Sequence, residues 1–222
     1  MTPLVSIVTM VHNSAEFLRE CCLSVQQQTF RDFEHIIVDA ESTDNPYEQV
    51  KNLPVTFVRL PHDFGMSTSR NQGFALAQGR FGVNLDGDDR IAPTFLERLL
   101  DRAGEQRLVC PWLRQFGSFD AISKPGDWSN PLFCCTMFPM SAFRIVGGYD
   151  PCLDRLECED WELWLSLLER GCRAEIIPEV LFYWRQHPGS RTARTVGAGN
   201  ADSPCYKASR EYMQRKHPAW HV

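Results

Sequence analysis

The sequence predicts a single α/β domain with a mostly parallel central sheet flanked by helices. Its first half alternates short apolar runs, rich in Val and Ile, with segments of helical periodicity. Strands that alternate with helices form right-handed βαβ units, whose strands lie parallel in one sheet. The 222 residues suit one domain, and 43% hydrophobic with 23% charged residues is ordinary for a globular protein. Disordered and low-complexity classes are therefore excluded.

The first half predicts its elements in a regular order. An apolar run over residues 4–10 has the composition of a buried parallel strand. Asn13 and Glu16 then have the spacing of a capping box, which predicts that Asn13 caps the first helix. Three further strands are expected in this half: 33–39, 55–60 and 81–85.

Two more helices are predicted between these strands and the middle of the chain. One covers 67–78 and ends at Gly79, because glycine commonly ends helices. Pro93 suits the first turn of the next, which extends to about Ala103. The second half is less regular, with a loop or lid at 117–130, rich in Gly, Ser, Pro and Asp, and a mobile segment at 190–204. Its predicted elements are strands at 108–112, 174–177 and 180–184 and helices at 160–170 and 206–216.

Charge and composition exclude several classes of protein. The formal net charge of -5 gives no overall attraction for nucleic acid. No apolar run approaches the roughly 18 residues that span a bilayer, and the N-terminus lacks the basic region of a signal peptide. The nine cysteines are odd in number and form no CxxC pair. We therefore expect reduced thiols in a cytoplasmic protein.

Polar clusters follow three of the predicted strands. In open α/β sheets, ligands bind beyond the carboxyl ends of the strands. His12 and Asn13 follow the first strand, 39–42 the second and 86–89 the fourth. The last cluster has three acids in four positions, which repel one another unless a cation such as Mg²⁺ or Mn²⁺ neutralises them. A solvated acidic turn ahead of the next helix is the alternative, and the spacing does not decide between them.

Other catalytic motifs are missing from the sequence. There is no GxGxxG, no GxxxxGK[ST] and no GxSxG, so dinucleotide, P-loop and serine-hydrolase functions lose their main support. A hydrolase would have to rest on Glu159 and Asp160 alone.

The sequence resembles the family 2 inverting glycosyltransferases of the GT-A (Rossmann-like) fold, over about residues 3–192. The resemblance is carried in order by VSIVTMVHNSAEFLRECCLSVQQQTFRDFEHIIVDAESTD, RNQGFALAQGRFGVNLDGDD, GGYD, ECEDWELWL and YWRQHPGS. It implies a GT-A domain over 1–192, with a nucleotide-binding half at about 1–105 and an acceptor-binding half at about 106–192. Residues 193–222 would form a mobile segment and a C-terminal helical tail.

By this resemblance, one group of residues would bind the nucleotide-sugar. Asp39 would contact the base, Asp86 the ribose or the waters of a metal, and Arg70 would help to hold the nucleotide. The group is His12, Asn13, Asp39, Ser42, Arg70, Asp86, Arg191 and Arg194, of which the last two would close over the diphosphate. The chain departs from the family pattern at two places. One is Met10, Val11 and His12 before Asn13, and the other is Ala40 after Asp39. Both touch recognition of the base, so the identity of the base stays open.

The resemblance also implies a metal and a catalytic base. Asp88, with Asp86, would bind Mn²⁺ or Mg²⁺, and His187 matches a position that adds a metal or phosphate contact in some relatives. Asp160 would be the general base that deprotonates the acceptor hydroxyl. From the residues alone, stabilisation of a helix start through the helix dipole is favoured over catalysis for Asp160, and the resemblance reverses that order.

The function implied is transfer of a sugar, with inversion, from a nucleoside-diphosphate donor to a hydroxyl group. The favoured donor is a UDP-sugar, and the acceptor would be a glycan or a lipid-linked saccharide. Such an acceptor would place the protein in the cytoplasm, with peripheral association at the inner face of a membrane.

Three alternatives stay open. A nucleotidyltransferase usually has a Gly-rich basic loop after the first strand, where this chain has VHNSAE. A non-catalytic module that binds a nucleotide-sugar or glycan is the second. The third is sugar transfer to modified nucleic acid bases, which the net charge disfavours although the tail is basic, with Lys207, Arg210, Arg215 and Lys216.

Overall fold

A nine-stranded mixed sheet forms the centre of the protein in the computed structural model, which describes residues 2–127, 130–190 and 203–220. Its strands are β1 Val5–Val11, β2 Phe33–Asp39, β3 Thr56–Arg59, β4 Phe81–Asp86, β5 Arg90–Ile91, β6 Arg107–Gly117, β7 Ala121–Ser123, β8 Met137–Pro139 and β9 Arg173–Gln186. They lie in the order β3-β2-β1-β4-β8-β6-β9-β5, with β7 paired to β6. The first four strands in this order are mutually parallel, as are β6 and β9.

Helices pack against the sheet. They are α1 Ala15–Gln26, α2 Tyr47–Val50, α3 Met66–Leu76, α4 Phe95–Leu100, α5 Met140–Val146, α6 Glu159–Glu169 and α7 Pro204–Lys216, with a 3₁₀ turn at Pro151–Leu153. The predicted α/β class with a mostly parallel sheet in one domain is confirmed. None of the described helices combines the length and apolar character needed to span a membrane.

Close packing of α3 on the sheet fixes the position of the residues that follow. Gly73 lies so near the strands that a Cβ there would come within 2.4 Å of the Val8 side chain and 2.8 Å of Val38. Both valines are fully buried, as are all seven residues of β1. Only a residue without a side chain permits this approach, so α3 is held directly against β1 and β2.

One large apolar cluster forms the core and a smaller one anchors the C-terminal helix. The large cluster extends from β1 and β2 through β4, β6 and β8 to α6. The smaller cluster joins Trp161 and Leu165 of α6 to Met213 of α7, and Met213 is completely buried. All nine cysteines lie in the described part of the chain, and none of them forms a disulfide with another described cysteine.

The first half matches the predicted strands closely, but its helices differ. The short helix α2 was not predicted, and α3 ends at Leu76 instead of at residue 78. Asn13 does not cap α1: it has a φ of 51°, and its side-chain oxygen instead accepts hydrogen bonds from Thr43. The helix near Pro93 is shorter than predicted: it begins at Phe95 and ends at Leu100. The short strand β5 before it was not predicted.

The second half differs more. The two predicted strands at 174–177 and 180–184 are one strand, β9, in which the pairing register shifts between Ile177 and Val180 opposite β6. The predicted loop at 117–130 contains β7, which forms a hairpin with β6. β8 and α5 were not predicted, because the run from Phe133 to Phe143 is apolar without a clear period.

Candidate active site

The carboxyl ends of β1, β2 and β4 meet at one edge of the sheet, as the strand order requires. A cleft of about 350 Å³ opens there, and a pocket of about 220 Å³ adjoins it. The cleft brings together five predicted site residues: His12, Asn13, Asp86, Asp88 and His187. The pocket contains three: Arg70, Asp86 and Asp160. Asp86, with Met66, Glu157 and Trp184, lines both cavities and therefore forms the wall between them.

Hydrogen bonds tie the loops after β1 and β2 together. The Nδ1 of His12 lies 2.6 Å from the carbonyl oxygen of Ala40, and because a carbonyl only accepts, this nitrogen carries the proton. The Nε2 of His12 then accepts from the amide of Asn13 at 3.1 Å. The backbone N–H of Asn13 donates to Ser42 Oγ at 3.0 Å. The rim of the cleft is thus fixed by side chains of both loops.

Asp39 lies beneath this rim and has no exposed surface. One carboxylate oxygen accepts from Arg59 Nη1 at 2.7 Å and the other from the backbone N–H of Ser42 at 2.9 Å. Both oxygens of Asp39 thus have protein partners, and its contact with a base stays a prediction. The guanidinium of Arg59, whose side chain is 53% exposed, covers Asp39. Sequence spacing did not reveal Arg59, although its strand pairs with β2 in register at Asp39.

Asp88 and His187, the predicted metal-binding residues, lie next to each other in the cleft. His187 Nε2 lies 3.0 Å from Asp88 Oδ2, and its ring packs against Phe17 at a centroid distance of 4.6 Å. Arg185 brings β9 to this position, because its backbone N–H donates to Asp89 Oδ1 at 2.8 Å and its Nε to the carbonyl of Asp88 at 2.6 Å. The sequence did not indicate this role for Arg185.

The chemistry of these side chains fits a divalent cation. Carboxylate oxygens of Asp86 and Asp88 are the ligands that Mg²⁺ and Mn²⁺ prefer, and the imidazole of His187 is a further candidate ligand. Asp89 is buried, and its Oδ2 has no hydrogen-bond partner among the described residues. Ligand atoms of Asp86, Asp89 and Cys134 also lie within 4.8 Å of one another.

Arg70 lies at the wall between the two cavities and is almost completely buried. Its Nη1 donates to Glu159 Oε1 at 2.6 Å, and its Nη2 donates to Asp86 Oδ1 at 2.8 Å. The guanidinium carbon lies 5.3 Å from the centroid of the Tyr149 ring. Arg70 faces the smaller pocket and not the cleft in which the nucleotide was expected.

Asp160 lies in the smaller pocket, at the start of α6. Its Oδ2 accepts from the amide of Asn130 at 3.0 Å and its Oδ1 from the backbone N–H of Trp161 at 2.8 Å. Burial, and next the charge of Glu159, raise the pKa of Asp160 to about 7. A carboxylate with such a pKa can both lose and take up a proton near neutral pH, as a general base must. Asn130 was not predicted, and Arg191 and Arg194 lie outside the described residues.

Comparison with known sequences supports the class of protein that the fold and site indicate. Residues 6–144 match the profile of Glycosyl transferase family 2. The chain is 32% identical to an uncharacterized glycosyltransferase, EpsJ of Bacillus subtilis, over 99% of this chain and 69% of that protein. It is 24% identical to UDP-Glc:alpha-D-GlcNAc-diphosphoundecaprenol beta-1,3-glucosyltransferase WfaP of Escherichia coli, over 86% of this chain and 80% of that protein.

Solved structures share the fold. TarS of S. aureus in complex with UDP-GlcNAc gives a TM-score of 0.75 at 15% identity, covering 97% of this chain and 71% of that chain. Mannosyltransferase PcManGT of Pyrobaculum calidifontis, in complex with GDP-Man and Mn²⁺, gives a TM-score of 0.73 at 19% identity, covering 89% and 61%. The fold is therefore that of the GT-A glycosyltransferases, and the protein is an enzyme of this class. Within the class, the chain belongs to glycosyltransferase family 2.

Proposed function

We propose that this protein transfers a sugar, with inversion, from a nucleoside-diphosphate donor to a hydroxyl group of a glycan or a lipid-linked saccharide. The observation that carries the proposal is the pair of cavities that share Asp86. The cleft with Asp88 and His187 would hold the donor, and the pocket with Asp160 would hold the acceptor. A donor and an acceptor bound on the two sides of Asp86 would be adjacent, which is the arrangement that direct transfer needs.

On the donor side, Asp88 would be the principal metal ligand, with Asp86 and His187 beside it. A bound Mn²⁺ or Mg²⁺ would act as a Lewis acid and stabilise the negative charge that develops on the departing diphosphate. Loops held by His12, Asn13 and Ser42 would form the rim around the base. Asp39 would contact the base through Arg59, or directly once Arg59 has moved away from it. Arg191 and Arg194 stay proposed as contacts to the diphosphate.

On the acceptor side, Asp160 would take the proton of the attacking hydroxyl. A sugar hydroxyl is a weak nucleophile, and a positioned base contributes about 10²–10⁴-fold to the rate. The amide of Asn130 fixes one oxygen of this base. Because the base would lie on the face of the sugar opposite the leaving group, one displacement inverts the anomeric carbon without a covalent intermediate.

The relatives support a choice of substrates. WfaP is a UDP-Glc-dependent glucosyltransferase and TarS binds UDP-GlcNAc, so a UDP-sugar is our proposed donor, with a GDP-sugar as the alternative because PcManGT binds GDP-Man. WfaP is named for a lipid-linked acceptor. We propose an acceptor of that kind, reached from the cytoplasm by peripheral contact with the inner face of a membrane.

Time-resolved proton NMR of donor hydrolysis tests the proposal without knowledge of the acceptor. UDP-glucose, UDP-GlcNAc and GDP-mannose, all α-linked, are each incubated with the protein and Mn²⁺. Inversion predicts that the β-sugar is released first and that mutarotation follows. An α-sugar as the first product would contradict inversion. Absence of nucleotide release from every donor, also after addition of polyprenyl-diphosphate-linked N-acetylglucosamine, would contradict the transferase activity proposed here.

A further inference from the structure

Arg70 joins three elements that come from distant parts of the sequence. It projects from α3, and its two terminal nitrogens bind Asp86 at the end of β4 and Glu159 at the start of α6. Asp86 belongs to the wall of the donor cleft, and Glu159 directly precedes the proposed base. The side chain of Arg70 is 2% exposed. A guanidinium that is enclosed in this way and shared by two carboxylates has no open face for a phosphate or a base.

The charges around Arg70 indicate why it is needed. The described residues that line the smaller pocket include four carboxylates, Asp86, Glu157, Glu159 and Asp160, and Arg70 is the one cationic side chain among them. Buried carboxylates repel one another when no cation neutralises them. Removal of Arg70 would take the cation at 2.6 Å away from Glu159, which is buried beside Asp160, and such a loss disturbs local structure strongly.

Asn71, the residue after Arg70, binds the backbone of Tyr149. The Asn71 amide donates to the carbonyl oxygen of Tyr149 at 2.7 Å, and its oxygen accepts from the N–H of Tyr149 at 2.9 Å. Gly148 permits this approach, because a Cβ there would lie 2.5 Å from the Asn71 oxygen. The Tyr149 ring then packs against the Arg70 guanidinium. The side chain of Arg70 is therefore held on several sides.

We propose that Arg70 is a positioning residue: it couples the Asp86 wall of the donor cleft to α6 and so keeps Asp160 aligned with the donor, instead of holding the nucleotide. The inference rests on the function proposed above, because it takes Asp160 as the base. It replaces the role that the sequence resemblance implies for Arg70.

Four variants test this role: Arg70→Lys, Arg70→Met, Glu159→Gln and the charge-balanced double variant Arg70→Met/Glu159→Gln. Arg80→Met is the matched control, because Arg80 forms an exposed ion pair with Glu105 at 2.6 Å, away from both cavities. The double variant removes the unpaired buried charge, so it remains folded if Arg70→Met alone does not. Melting temperatures select the folded variants.

Kinetics and nucleotide binding then separate the two roles. With UDP and Mn²⁺ in calorimetry, the double variant should bind within about threefold of wild type, while its kcat for donor hydrolysis falls by about 100-fold because the base is misplaced. Arg70→Lys, which restores the charge, should recover at least about tenfold of that loss. Arg80→Met should match wild type in both measurements. A folded double variant that loses nucleotide affinity by more than about tenfold but keeps kcat would overturn the proposal.

Hydrogen exchange supplies a readout that needs no substrate. Arg70 variants should increase the exchange rates of amides in the first turns of α6 by at least about tenfold, whereas Arg80→Met should leave them unchanged. Unchanged exchange in α6 would overturn the coupling even if activity falls. If wild-type protein bound and hydrolysed no donor while exchange in α6 responded to Arg70, the proposed function would fail and the coupling would stand.

Discussion

Replacement of Asp160 by Asn removes the proposed base and leaves the shape of its side chain nearly unchanged. Wild-type Asp160 accepts hydrogen bonds from Asn130 and from the Trp161 N–H, and an asparagine keeps an acceptor for one of them. The substitution also removes a like charge beside Glu159. We therefore expect Asp160→Asn to fold, with kcat lower by about 10²–10⁴-fold and with the KM for the donor little changed.

The pH dependence follows from the same environment. Burial raises the pKa of Asp160 to about 7, so the wild-type rate should fall as the pH drops through 7 and the base becomes protonated. The raised pKa also means that ionisation of Asp160 costs stability as the pH rises from about 4 to 7. Asp160→Asn lacks this cost and should be more stable than wild type above pH 7, by about 1–3 kcal/mol.

A coupled assay for nucleotide release and urea unfolding at pH 5 and pH 8 measure both effects. Asp101→Asn, an exposed carboxylate whose side chain is 57% exposed, is the matched control and should leave rate and stability unchanged. A folded Asp160→Asn protein with the full wild-type rate would refute the assignment of the base.

Other changes act on the metal and on the C-terminal helix. Asp88→Ala should abolish the stabilisation by nucleotide with Mn²⁺, which is about 2.7 kcal/mol at 100 times Kd, and an undiminished thermal shift would exclude Asp88 as a ligand. His187→Gln should raise the Mn²⁺ concentration needed for half-maximal activity, and an unchanged Mn²⁺ titration would leave His187 without a metal role. Met213→Ala should lower the free energy of unfolding by about 2–5 kcal/mol in urea, because Met213 is completely buried against Trp161 and Leu165; a loss below 1 kcal/mol would mean that α7 is not anchored there.

The C-terminal helix is held by more than this apolar contact. Glu162 of α6 is buried, and its Oε1 lies 2.7 Å from Lys216 Nζ and 3.1 Å from His217 Nε2. Ser209 Oγ accepts from the backbone N–H of Glu157, which lines both cavities. The predicted tail at 193–222 thus includes a helix that supports the wall of the active site.

Much of the cleft could be predicted because its signals are local. β1 and β2 are rich in Val and Ile, which a parallel sheet buries, and their carboxyl ends must meet at one edge. The polar residues after each strand therefore had to lie together, and His12 and Asp88 do line one cleft. The capping-box spacing predicted the wrong role for Asn13, because its side-chain oxygen accepts a hydrogen bond from the distant Thr43 instead of capping the helix.

The smaller pocket depends on contacts between distant residues, which local patterns do not encode. Arg70 and Glu159 are 89 positions apart, and Asn130 and Asp160 are 30 apart. A solvated arginine on a helix and a buried one have the same local sequence, so the burial of Arg70 could not be predicted. Pro178 lies between the two strands that were predicted for β9, and a shift in the register with β6 accommodates it within one strand.

The central claim is that the cleft beside Asp88 binds a nucleoside diphosphate together with a divalent cation. Thermal-shift measurement of wild type and Asp88→Ala with UDP, GDP, dTDP and CDP, each with Mn²⁺ and with EDTA, tests it most directly. One nucleotide should stabilise wild type in the presence of Mn²⁺, and EDTA or the substitution should remove the shift. Absence of a shift with all four nucleotides, or an equal shift in EDTA and in Asp88→Ala, would contradict it.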